Sequence, residues 1–143
     1  MSNFAEIQST LNVHLSTLTG IPTWKRENLS VNPDEDEIYI ASSLIPAETR
    51  FPNVGLNGFR VESGIFAILV KSVRYSGWGG YSTLVDDILE HFPRNLILTS
   101  DVDSGETEIK IHILRSYALS GYTDSEGRYT IPVHVRFDTY VAI

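Results

Sequence analysis

The chain has 143 residues, 42% hydrophobic and 20% charged, with no cysteine and a formal net charge of -7. One domain over 1–143 is expected at this length, and roughly 68–70% of the unfolded surface can be buried, so a core needs no disulfide or metal. The acid excess and the eleven scattered Lys and Arg argue against general nucleic-acid binding, and the lack of cysteine excludes thiol catalysis and thiolate metal sites.

Phe4, Ile7, Leu11, Leu15 and Leu18 recur at spacings of three and four, the apolar stripe of an amphipathic helix closed by Gly20 and Pro22. MSNFAEIQST has no basic stretch, so a signal peptide is not expected. His14 lies beside the stripe and reads as a packed side chain rather than a ligand. A short edge strand is expected around Trp24, and the acidic run Asp34 to Glu37 reads as a solvated turn. EIYIASSLI (37–45) is a strand by its β-branched and aromatic content. Residues 46–64 read as a long, poorly structured arm. GIFAILVKSVRY (64–75) then hides both faces up to Lys71, as a central strand does. Its apolar run, Ile65 to Val70, is far short of the ~20 residues that span a bilayer.

After the breaker SGWGG comes a second helix, with Leu84, Val85, Ile88, Leu89 and Phe92 on its buried stripe and Asp86, Asp87 and Glu90 on its wet one. RNLILTSD returns toward the sheet. TEIKIHILRSY (107–117) and YTIPVHVRFDTY (129–140) alternate as an antiparallel pair, and Pro132 favours an edge or a bulge. The fold class expected is α+β: a mixed or antiparallel sheet with two α-helices packed on one face.

Chemistry is hard to find. GWGGYS lacks the lysine of a phosphate loop, and no nucleophile elbow or paired histidine motif is present. Asp86 and Asp87 project about 100° apart on a helix and cannot converge. Asp101, Asp103 and Glu106 are a weak candidate for a hydrolytic or metal site, lacking the full calcium-loop ligand set. His112 and His134 could face each other across the last hairpin, more simply as a wet surface pair. No catalytic, cofactor or metal residue is assigned, and a binding or assembly protein is expected rather than an enzyme.

The succession of an N-terminal helix, YIASSLIPAETRFPNVGLNGFRVESGIFAILVKSV, a helix ending LEHFPRNLILT and a final YTIPVHVRF resembles the tail terminator, or tail completion, proteins of long-tailed bacteriophages, including a phage-related domain of unknown function. The long SGYTDSEGRY connection departs from that pattern. The resemblance implies a virion protein at the head-proximal end of the tail, assembled in the host cytoplasm. It implies an oligomeric, hexameric ring that caps the tail tube, stops its polymerisation and meets a head-side connector protein, with DNA passing through unbound and no membrane contact. In that setting the arm is a device for reaching a neighbour, with Glu48, Arg50, Phe51, Asn57 and Arg60 as candidate interface residues. Another head–tail connector or neck protein, or a small non-viral module that binds a peptide at a sheet edge, is the alternative.

Overall fold

Strands of unusual length organise the molecule. A computed structural model describes residues 4–18, 23–26, 38–50, 59–72, 82–99, 109–125 and 127–142. Along the chain run α1 (Phe4–Ser16), β1 (Thr23–Arg26), β2 (Tyr39–Arg50), β3 (Phe59–Lys71), α2 (Ser82–His91), β4 (Ile97–Thr99), β5 (Lys110–Ala118), β6 (Tyr122–Thr123) and β7 (Tyr129–Ala142). The described strands form one sheet in the order β1-β2-β3-β7-β5-β4, with β6 also paired to β7. All pairings are antiparallel except β1 with β2.

The expected α+β arrangement is overturned. The protein is largely β, an antiparallel sheet curled into a half-barrel with two short helices, not helices layered on a sheet face. Long strands twist, and two bulges add local bending, at Pro46/Glu48 in β2 and at Ile113/Arg115 in β5. The poorly structured arm is corrected by the same observation. Its flanks continue the ladder, from Pro46 opposite Gly64 to Arg50 opposite Val61, and only 51–58 fall outside the described residues.

Alternation decides what the sheet buries. On the inner face Phe66, Ile68 and Val70 of β3 stand opposite Val135, Val133 and Ile131 of β7, with Ile40 and Leu44 on one flank and Ile111 and Ile113 on the other. The helices add Ile7, Leu11 and Leu15, and Val85, Ile88 and Phe92, to the same cluster, as their stripes predict. Each fully buried side chain of this size contributes roughly 1.5–3 kcal/mol.

Pro132 sits in the interior of the sheet, contrary to the simplest expectation, between β3 and the β5/β6 side. Its carbonyl accepts from Leu119 N–H at 2.8 Å. The proline's nitrogen points the same way as that carbonyl, toward Leu119, so the reciprocal bond of that pair cannot form and the β5–β7 register ends at Ala118 opposite Val133. Gly64 meets another demand: a Cβ there would lie 2.8 Å from Phe137 Cζ and 2.9 Å from the Ile45 carbonyl oxygen. The Phe137 ring lies over the bare glycine and covers it.

Candidate interaction surface

The face of the sheet turned away from the core is one feature the fold leaves for function. Ladder register sets it out in rows. Ile45, Ile65, Arg136 and Arg115 lie abreast; beside them run Ser43, Ala67, His134 and Tyr117. Ile45 is 45% exposed and Leu119 42%, while Ile65, Leu69, His134 and Tyr117 are half-buried. β3 is central, as its two apolar faces predict, yet this side carries no helix among the described residues.

Cationic and aromatic groups punctuate the patch. Arg115 and Arg136 are direct cross-strand partners and both are exposed. The Arg115 guanidinium lies 4.4 Å from the Tyr117 ring centroid, and Tyr117 meets His134 edge-on at 5.8 Å. At that distance the ring and the guanidinium attract each other as a cation–π pair.

The two ends of this face are closed by polar contacts. At one end Ser63 Oγ donates to Asp138 at 2.6 Å. At the other, Arg128, only 2% exposed, donates to the Ser72 carbonyl at 2.8 Å and lies 4.8 Å from the Tyr39 ring centroid. Lys71 bonds Asp124 at 2.7 Å. Asp124 also accepts from Arg128 N–H at 3.0 Å, and Gly127 closes the turn at φ 82°. The SGYTDSEGR connection is thus a pinned hairpin.

The histidines rearrange the sequence picture. His112 stands opposite Asp138 and His134 opposite Tyr117, so the proposed His112–His134 pair does not form. His112 Nε2 instead lies 3.2 Å from Asn95 Oδ1. His14 and His91, far apart in sequence, stack at 4.1 Å between centroids. Each Nε2 lies 2.7 Å from the other residue's carbonyl oxygen. A carbonyl only accepts, so both Nε2 atoms carry hydrogen. Burial holds the His14 pKa below its usual 6.5; the bond to the His91 carbonyl opposes this and the neighbouring His91 ring reinforces it. A histidine in the last turn of each helix was the available signal.

Of the candidate interface residues, Glu48 and Arg50 lie in β2 and Arg60 in β3. Glu48 pairs with Ser63, Arg50 with Val61 and Arg60 with Val141. Phe51 and Asn57 lie outside the described residues, as do Asp34 to Glu37, Asp101, Asp103 and Glu106. Among the described residues no group of three or more His, Asp or Glu could hold a metal. In a groove between α1 and β4, lined by Glu6, Thr10, Val13, His14 and Leu98, the Thr10 hydroxyl donates to the Glu6 carbonyl at 2.8 Å, a bond within the helix. No described helix is long and apolar enough to cross a membrane.

Among the described residues the outer face of the curled sheet carries no helix and combines apolar with cationic side chains, the kind of composition that protein contacts use. Eight chains of solved structures match the fold, one with a TM-score of 0.66 at 17% identity over 94% of this chain and 91% of its own. No curated protein matches the sequence. The model of the phage tail terminator protein family matches residues 6–137. The chain belongs to that family, a structural one, and is a virion component with a role in phage tail assembly.

Proposed function

We propose that the protein closes the head-proximal end of the phage tail tube as an oligomeric ring, hexameric by the family pattern. There it ends tube polymerisation and presents the surface on which the head-side connector docks. The observation that carries this is the outer sheet face, apolar and cationic at its centre, in a chain whose family match runs nearly end to end. A closed ring needs two different patches on each subunit. Glu48, Arg50, Phe51, Asn57 and Arg60 are the proposed contacts to a neighbour or to the tube. The net charge of -7 disfavours adhesion to DNA passing through the ring.

The test is light scattering over a concentration series, alone and with purified tail tubes. The expected result is conversion to one species of defined mass, and tubes that stop growing when it is added. A monomer at every concentration that leaves tube growth unchanged refutes the proposal. A protein that ignores tubes and binds only the connector is a neck protein instead.

A further inference from the structure

Arg115 and Arg136 present a physical anomaly. Like charges directly opposite in an antiparallel ladder destabilise it, yet both side chains are exposed in a chain of net charge -7. Among the described residues neither has a carboxylate partner, although acids outnumber bases 18 to 11. Tyr117 braces Arg115, and Ile65 lies beside Arg136 with Ile45, 45% exposed, on the next strand. Arginine on an aromatic ring beside aliphatic groups is the composition of an interface centre, where a desolvated guanidinium fork grips a carboxylate.

The complementary charge lies on the same chain. Asp86, Asp87 and Glu90 form the exposed face of α2 and have no cationic partner among the described residues. α2 docks through Val85, Ile88 and Phe92 into the core, on the inner side of the sheet. Its acidic face therefore points away from the sheet on the side opposite to the arginines. Two complementary patches on opposite sides of one subunit cannot meet within it, but they can meet between copies, head to tail.

We infer that Arg115 and Arg136 of one copy bind the Asp86, Asp87 and Glu90 face of α2 on a second copy. This is a heterologous contact that repeats around a ring. The inference rests on the ring proposal and specifies its interface. Attraction between these patches acts over about 8 Å at physiological ionic strength, so it acts locally against the general repulsion of two acidic chains.

Charge swapping tests it. R115E/R136E makes both patches acidic and D87K/E90K makes both basic; all four residues are exposed, and melting curves check that the variants fold. Each variant alone is expected to raise the concentration for half-association by about tenfold or more. Mixing the two restores association, since each copy then meets a partner of opposite charge on both sides. Self-association of the unaltered protein that both variants retain, or lose without rescue on mixing, overturns this interface and leaves the ring standing. An unaltered protein that stays monomeric with and without tubes overturns both.

Discussion

Gly64→Ala should destabilise the protein, against the usual direction for an interior strand glycine. Elsewhere in a strand the change gains roughly 0.5–1 kcal/mol by restricting the unfolded chain. Here the added methyl would sit 2.8 Å from Phe137 Cζ and 2.9 Å from the Ile45 carbonyl oxygen. The ring can rotate, but the carbonyl belongs to the β2 backbone at the edge of its bulge. The sheet must shift, and overpacking of this kind costs about 1–3 kcal/mol. At roughly 2–4 °C per kcal/mol for a domain near this size, the melting temperature should fall by about 2–12 °C. Phe137→Leu should cost about 1–2 kcal/mol alone through lost burial. Combined with Gly64→Ala it should cost less than the sum, because half of the clash is gone; a coupling of about 0.5 kcal/mol or more is expected. The assay is thermal and urea unfolding of the four proteins. A neutral or stabilising Gly64→Ala, or strict additivity in the double variant, would falsify the packing argument.

Two further expectations concern buried polar groups. Arg128→Met removes the Arg128 bond to the Ser72 carbonyl and should cost about 1.5–3 kcal/mol, read in urea unfolding; an unchanged midpoint would show that the bond adds nothing. The His14 pKa is depressed on folding, so below 6.5 the unfolded chain binds the proton more readily than the native one. The stability contributed by neutral His14 is complete above that value and drains away as pH falls beneath it. The urea midpoint should therefore drop between about pH 7.5 and pH 5.5, and drop less in His14→Gln, which keeps a donor for the His91 carbonyl but cannot titrate; equal drops would place the acid sensitivity elsewhere.

Much of the element order was legible because it is local. The stripe Ile7, Leu11, Leu15 and the stripe Val85, Ile88, Phe92 repeat at helical spacing, and all six are buried. Alternation in β7 placed Ile131, Val133, Val135 and Phe137 inward, as found. The arm misled because proline, glycine and charge at 46–64 mimic a loop, while at 46–50 and 61–64 the ladder continues through one bulge and one aromatic-covered glycine. The interaction face was half legible: the two apolar sides of β3 demanded a second partner, but the Arg115–Arg136 opposition depends on the bulge at Leu114.

The sequence by itself determined the periodicities, the lack of thiol chemistry, the acidic charge and the family. These are properties of composition and of residues within one turn or one strand of each other. Tertiary structure alone decided the curl of the sheet, the parallel pairing of β1, the His14–His91 stack and the placing of the arginines opposite each other on the outer face. Each depends on which distant segments pair and in what register, and a shift of one residue moves a side chain to the other face.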